Sequence, residues 1–81
     1  MTKDTLLDYL TCGREIEFKF NDKMYSITQG VLDGKHVLSF CEFNQETTEV
    51  ENPEDVLAIE RNGVSVLTMI ESISDDDIWI Y

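Results

Sequence analysis

The spacing of the apolar residues changes at Gly13, and that change limits which elements the chain can form. In residues 2–12 the leucines recur at helical intervals, and Gly13 stands where helices often end in a left-handed residue. In residues 14–20 apolar residues instead alternate with charged ones. We therefore predict a short helix followed by a half-buried strand. The candidate helix caps are Thr2 and Asp4, and the alternating residues are Ile16, Phe18 and Phe20.

Two turn signals divide the chain after this strand. Asn21-Asp22-Lys23 has turn chemistry, and Met24–Thr28 then alternates as a second strand. After a second turn signal at Asp33-Gly34, His36–Phe43 is apolar on both faces, which is typical of a central strand covered on both sides. Because consecutive strands usually pair, we predict an antiparallel meander of three strands.

The second half of the chain opens with a polar, acidic segment, Gln45–Glu51, which predicts a loop. Asn52–Asp55 then has the features of a helix start. Asn is a favoured cap, Pro fits the first turn, and the two acids lie at the positive end of the helix dipole. Asn62-Gly63 interrupts this short helix.

Residues 64–73 fit two patterns. Positions 64, 66 and 68 alternate as in a strand, whereas from position 66 the apolar residues recur at helical intervals behind Ser65, a plausible cap. We prefer the helix. Asp75–Asp77 then breaks the pattern, and Ile78–Tyr81 predicts a terminal strand of alternating β-branched and aromatic residues.

The order of these elements, α-β-β-β-α-α-β, predicts an α+β fold. We expect an antiparallel sheet of about four strands with two or three short helices packed on one face. At 81 residues the chain is a single domain, spanning residues 1–81, and it is barely large enough for an apolar core to stabilise it. The sequence near Met1 has neither a signal-peptide core nor a membrane span, which predicts a cytoplasmic protein.

Charge is distributed unevenly along the chain. Residues 1–40 carry six acidic and five basic side chains, whereas residues 41–81 carry eleven acidic ones and a single base, Arg61. The net charge of −11 argues against direct binding of nucleic acids or of anionic membranes, because both require clustered Lys and Arg. The scarcity of bases after Lys35 instead favours a protein partner with a basic surface.

The sequence contains no recognisable catalytic or metal-binding motif. His36 and Cys41 are five residues apart in one predicted strand, so their side chains point to opposite faces and do not form a catalytic pair there. Asp75–Asp77 lacks the spacing and the glycine of a calcium loop. Cys12 and Cys41 form no Cys-x-x-Cys pair, which favours two reduced, buried thiols over a disulfide. We predict a protein that is not an enzyme and uses no metal or cofactor.

Two groups of residues are candidates for binding a partner. Trp79 and Tyr81 share one face of the terminal strand, and Ile78 and Ile80 share the other. If the isoleucines face the helices, the aromatic side chains lie on the opposite face of the sheet, where they either anchor a partner or cover the sheet. The second group is acidic and consists of Glu46, Glu49, Glu51, Glu54, Asp55, Asp75, Asp76 and Asp77.

These candidates support functions of two different classes. The first is a protein-interaction or accessory module whose acids serve solubility and contact with a basic partner. The second is an inhibitor that mimics the phosphates of DNA, as acidic phage proteins of similar length and charge do, although no motif matches the uracil-DNA glycosylase inhibitors. An exposed edge strand also allows a homodimer.

Four segments resemble small uncharacterised proteins of Gram-positive bacteria and their prophages. These segments are Gly13–Phe18, Asn21–Ile27, Asn62–Val64 and Ile78–Tyr81. They consist of turns and strands, so the resemblance transfers no catalytic residue. It implies a stand-alone cytoplasmic protein.

Overall fold

The computed structural model describes all residues from Met1 to Tyr81. The helices are α1 (Lys3–Thr11), α2 (Pro53–Ala58) and α3 (Val66–Ser72), and a 3-10 turn follows at Asp75–Asp77. The strands are β1 (Ile16–Phe20), β2 (Lys23–Leu32), β3 (Lys35–Glu42), β4 (Thr47–Val50), β5 (Glu60–Arg61), β6 (Val64–Ser65) and β7 (Ile78–Ile80). None of the helices is long and apolar enough to cross a membrane.

Five of the strands form one antiparallel sheet in the order β4-β3-β2-β1-β7. Two-residue turns at Asn21-Asp22 and Asp33-Gly34 join β1 to β2 and β2 to β3 close to the predicted positions. Lys23, predicted as part of the first turn, belongs to β2, which continues past Thr28 to Leu32. All four turn residues have a positive φ, between 53° and 79°, which is the conformation that a type I′ hairpin turn requires. β7 then returns from the far end of the chain to pair with β1.

The first helix begins and ends as its sequence predicts. Of the two candidate caps, Thr2 is the one used, because its hydroxyl accepts a hydrogen bond from the Thr5 N–H at 3.3 Å. The chain leaves the helix through Gly13, which has a φ of 83°. Leu6 and Leu10 are the side chains that α1 buries.

The other helices also begin close to the predicted residues. α2 starts at Pro53, but Asn52 makes no side-chain cap, because its amide group lies 3.4 Å from the Asp55 carboxylate instead. Ser65 caps α3 by accepting a hydrogen bond from the Thr68 N–H at 3.1 Å. The segment that fitted both a strand and a helix is therefore mostly helix.

The three helices contribute to one core against a single face of the sheet. Phe18, Tyr25 and Phe40 stack in its centre on three adjacent strands, with ring centroids 5.3 Å and 5.6 Å apart between neighbours. The other buried residues are Leu6, Leu10, Ile16, Ile27, Leu38, Val56, Leu57, Val66, Met69 and Ile70. All 13 buried side chains are hydrophobic, so their removal from water is the main favourable contribution to folding.

The α+β class is confirmed, but the predicted number and order of elements are wrong. Gln45–Glu51 is not a loop throughout, because it contains β4, which pairs with β3 and gives the sheet five strands. Val50 is the only apolar side chain of β4, so the segment lacks the alternation by which a strand is recognised. A small hairpin, β5 and β6, also lies between α2 and α3, and the observed order is α-β-β-β-β-α-β-β-α-β.

The prediction that β3 is covered on both faces is also wrong. Leu38 and Phe40 face the helices and are buried, whereas Val37, Ser39 and Cys41 alternate with them and are only half-buried. The reason is that the helices pack on the same side of the sheet. We call the opposite, uncovered side of the sheet the open face.

Candidate functional site

The eight predicted acidic residues form two separate groups at opposite edges of the sheet. Glu46 precedes β4, Glu49 lies on it and Glu51 follows it. Glu54 and Asp55 lie in the first turn of α2, which packs against β3 and β4. Asp75–Asp77 precedes β7 at the other edge. β4 and β7 are four strand spacings apart, which corresponds to about 19 Å.

Two of the eight acids have an ion-pair partner within the molecule. The Glu51 carboxylate lies 3.7 Å from the Lys35 ammonium group, and the Asp75 carboxylate lies 3.2 Å from the amino group of Met1. Such exposed ion pairs contribute little to stability, about 0–1 kcal/mol each. They nevertheless show that part of the acidity at both edges has a local counterpart.

The open face carries a row of side chains that crosses all five strands in register. This row consists of Trp79, Glu17, Ser26, Cys41 and Thr47. Ser26 Oγ and Cys41 Sγ are 3.3 Å apart within it. As predicted, Ile78 and Ile80 pack against the core, while Trp79 between them is exposed on the other side.

A cleft lies next to this row. The Tyr81 N–H donates to the Glu15 carbonyl oxygen at 2.8 Å and extends the pairing of β7 with β1 by one residue. The Phe43 N–H donates to the Met24 carbonyl oxygen at 2.9 Å and extends β3 in the same way. The cleft between the two aromatic rings has a volume of about 370 Å³. Its lining residues are Glu15, Ile16, Glu17, Ser26, Thr28, Phe43 and Tyr81.

Two carboxylates in the cleft have no basic partner. Glu15 Oε2 accepts a hydrogen bond from the Gln29 N–H at 3.1 Å, and Glu17 lies close enough to the Tyr81 hydroxyl to raise the pKa of that phenol. The ion pairs of the molecule all involve other residues. The neighbouring base, Arg14, donates from Nε to the carbonyl oxygen of Tyr81 at 2.6 Å. The cleft therefore combines two uncompensated negative charges with two aromatic side chains.

The contact between Glu17 and Tyr81 predicts a measurable shift in a titration. Its hydrogen bond raises the pKa of the Tyr81 phenol above 10.0, and desolvation and the Glu17 charge act in the same direction. Because the folded pKa is the higher one, the contact stabilises the fold below a pH of about 10 and stops doing so as the pH rises through the folded value. We expect Glu17→Gln to lower the pH at which Tyr81 ionises, as measured by tyrosinate absorbance.

Glu49→Gln is the matched control for this titration, because it removes the same charge from a residue that does not line the cleft. The control variant should titrate like the unmodified protein. A Glu17→Gln curve that overlays the unmodified one would show that the two side chains do not interact.

Arg61, the single base of the second half, has a structural role. Its guanidinium group lies over the Phe40 ring, 5.1 Å from the centroid, which is a cation–π distance. Nη2 donates to the Thr48 hydroxyl at 2.7 Å, and Nη1 donates to the Glu60 carbonyl oxygen at 2.9 Å. Arg61 therefore attaches the β5–β6 hairpin to the main sheet.

A second exposed apolar feature lies at the tip of the β2–β3 hairpin. Val31 is 75% exposed and Leu32 is 50% exposed. The tip extends beyond its neighbours, because β1 pairs with β2 only as far as Ile27 and β4 pairs with β3 only from Leu38 onwards. A homodimer through an edge strand stays a prediction, and this tip has unpaired edges on both sides.

The histidine and the two cysteines lie apart from one another. His36 is exposed near the tip of the β2–β3 hairpin, while Cys41 is half-buried on the open face. Cys12 is exposed after α1, so the prediction that both thiols are buried is wrong, because this residue caps the helix at its solvent-exposed end. Both thiols are free, and no three His, Cys, Asp or Glu side chains are grouped as metal ligands.

Of the residues at the cleft and the adjoining row, the sequence predicted Trp79 and Tyr81 but missed Phe43, Glu15 and Glu17. A signal for the two glutamates was present, since they alternate with the buried residues of β1 and must share its solvent-exposed side. The pairing of β7 with β1, which places the two glutamates next to the aromatic side chains, has no such local signal.

No protein-family model matches the sequence, and no curated protein or solved structure is significantly similar to the chain.

Proposed function

We propose that this protein is a non-enzymatic, cytoplasmic interaction module that binds a protein partner with a basic surface through its open face. The observation that carries the proposal is the exposure of three aromatic side chains at this face. Phe43 and Trp79 are each 42% exposed, and Tyr81 is 61% exposed. Large aromatic side chains are the favoured anchors of protein interfaces.

Exposing these rings is unfavourable for so small a domain, which needs its apolar side chains for stability. The same domain buries its other large aromatic side chains, since Phe18, Tyr25 and Phe40 are almost entirely withdrawn from water. Clusters of exposed apolar side chains of this kind mark interaction sites in soluble proteins. A partner that covers the open face would remove Trp79 and Tyr81 from water.

Charge supports the choice of a basic partner. Glu17 and Glu49 lie on strand positions of the open face, and Glu15 directly precedes β1 on the same side. Two bases share this face, Lys19 and Lys35, and Lys35 is already paired with Glu51. The net charge of −11 also accelerates the approach of a basic protein from a distance. The free thiols of Cys12 and Cys41 fit a reducing compartment such as the cytoplasm.

The proposal is tested by binding from extracts of the source cell with three forms of the protein. These are the unmodified protein, Trp79→Ala on the open face, and the double variant Glu54→Gln/Asp55→Asn at the β4 edge. Proteins retained by each form are quantified by mass spectrometry and then purified for affinity measurements. We expect a basic partner whose affinity falls about 30-fold or more with Trp79→Ala, the typical loss at an interface anchor, and changes little with the edge variant.

The DNA-mimic alternative predicts the opposite pattern. Its partner would be a DNA-binding protein displaced by DNA, with an affinity that falls steeply as salt rises and depends on the edge acids more than on Trp79. Such a result, or a partner that binds Trp79→Ala as tightly as the unmodified protein, would contradict binding through the open face. Unfolding curves confirm beforehand that all three forms are folded.

A further inference from the structure

The cleft between Phe43 and Tyr81 is the most specific feature of the open face. Its two carboxylates belong to Glu15, directly before β1, and Glu17 on β1; in extended chain the two residues are roughly 7 Å apart. Glu15 accepts one hydrogen bond from a main-chain N–H, the side chain that interacts with Glu17 is the neutral Tyr81, and neither glutamate is in an ion pair. Lone pairs of both carboxylates are therefore available. A cation that enters the cleft would meet two negative charges.

The aromatic side chains restrict the kind of cation that fits. A guanidinium group is planar, stacks on aromatic rings and has five N–H donors directed outwards in its plane. Lying against Phe43 or Tyr81, it can direct those donors towards Glu15 or Glu17. An ammonium group is more strongly hydrated and has no flat surface to stack.

The molecule itself uses this arrangement for both of its arginines. Arg61 lies over the Phe40 ring at 5.1 Å and donates to the Thr48 hydroxyl. Arg14 lies over the Tyr9 ring at 5.9 Å. A guanidinium group beside an aromatic ring and an oxygen acceptor is thus a stable arrangement in this protein.

Other occupants fit the cleft less well. An anionic side chain would be repelled by both carboxylates. An apolar side chain would withdraw both carboxylates from water without offering them a hydrogen bond, and burying an unpaired charge in this way is unfavourable. The volume of about 370 Å³ is within the range of small binding sites and leaves room for one long side chain.

We propose that the cleft formed by Glu15, Glu17, Phe43 and Tyr81 binds a single arginine side chain of the partner protein. The proposal rests on the function inferred above and adds the chemistry of one contact to it. Trp79, beside Glu17 in the row, then packs against the partner residues that flank this arginine.

The test uses three short peptides that differ in one side chain. Acetyl-Gly-Arg-Gly-amide is compared with the lysine peptide and with the citrulline peptide, in which a neutral urea replaces the guanidinium group at almost the same shape. Each is titrated into the isotopically labelled full chain, and amide chemical shifts are followed by NMR. We expect the arginine peptide to shift Glu15, Glu17, Ser26 and Thr28, the lysine peptide to bind more weakly, and the citrulline peptide to leave these signals unchanged.

Glu17→Gln and Glu49→Gln provide the matched variants, because both remove one charge from the same face. Glu17→Gln should weaken binding of the arginine peptide up to about fivefold, the range for an exposed ion pair, and Glu49→Gln should leave it unchanged. Equal binding of the citrulline or lysine peptide, equal effects of the two variants, or no shifts in the cleft would overturn the proposal. If the cleft proposal fails while Trp79→Ala still weakens partner binding about 30-fold or more, the proposed function stands and only the occupant of the cleft is wrong.

Discussion

Phe18→Ala is expected to lower the free energy of unfolding by about 3–5 kcal/mol, the usual cost of removing a buried aromatic ring. Phe18 is fully buried on β1. Its ring centroid lies 5.3 Å from that of Tyr25 and 6.4 Å from that of Phe40, so its loss leaves a cavity at the centre of the aromatic stack. Small domains are stable by roughly 5–15 kcal/mol, and this one should lose a large share of that in urea denaturation curves.

Trp79→Ala is the informative comparison, because it removes a larger ring from the open face. Trp79 is 42% exposed and contributes no buried side chain to the core. We expect a loss within about 1 kcal/mol, as for substitutions away from the core. Losses of similar size for Phe18 and Trp79 would contradict the separation between core and open face.

This comparison also determines how the binding experiment is interpreted. If Trp79→Ala leaves the fold intact, weaker partner binding by that variant reflects a lost contact at the interface. If it destabilises the fold, the ring covers the sheet, which is the second role that the sequence allowed for Trp79 and Tyr81.

Local signals in the sequence predicted the elements whose geometry is local. Gly13 ends α1 with a φ of 83°, and Asp33-Gly34 adopts the positive φ values of a hairpin turn. Both positions require a conformation that most side chains disfavour, so the residue type itself indicates the structure. Ser65 is similar, because its hydroxyl caps α3 within three residues.

β4 illustrates what local signals do not contain. Three of its four residues, in Thr47–Val50, are polar, because it is an edge strand with one side open to solvent. The segment forms a strand because β3 offers it an unpaired edge, with Leu38 opposite Val50. Because the polar segment itself contains no signal of this pairing, the sequence predicted about four strands for a sheet that has five.

The candidate site was predictable only in part for the same reason. Alternation within one strand was enough to place Trp79 and Tyr81 on one face and Ile78 and Ile80 on the other. The cleft requires in addition that β7 pair with β1, more than 60 residues earlier in the chain, which brings Trp79 opposite Glu17. Phe43 lines the cleft because β3 stays extended and paired with Met24 as far as Phe43, and the chain turns only at Asn44, where φ is 68°.

Deleting Trp79–Tyr81 is expected to destabilise the fold by about 2–3 kcal/mol and to lower the melting temperature by roughly 10–20 °C. The deletion removes Ile80 from its place against the core, where burying an isoleucine contributes about 1.5–3 kcal/mol when complete. It also removes the pairing of β7 with Ile16 and Glu17 and leaves that edge of β1 open to water. Thermal unfolding followed by circular dichroism measures the change.

The double variant Trp79→Ala/Tyr81→Ala is the control, since it keeps Ile80 and every main-chain hydrogen bond of β7 while it removes both aromatic rings. It should melt close to the unmodified protein and, unlike that protein, fail to bind the partner. A deletion variant with an unchanged melting temperature would show that β7 is not an integral strand. Because the position of Trp79 and Tyr81 beside Glu17 depends on that strand, the geometry of the cleft would then have to be abandoned as well.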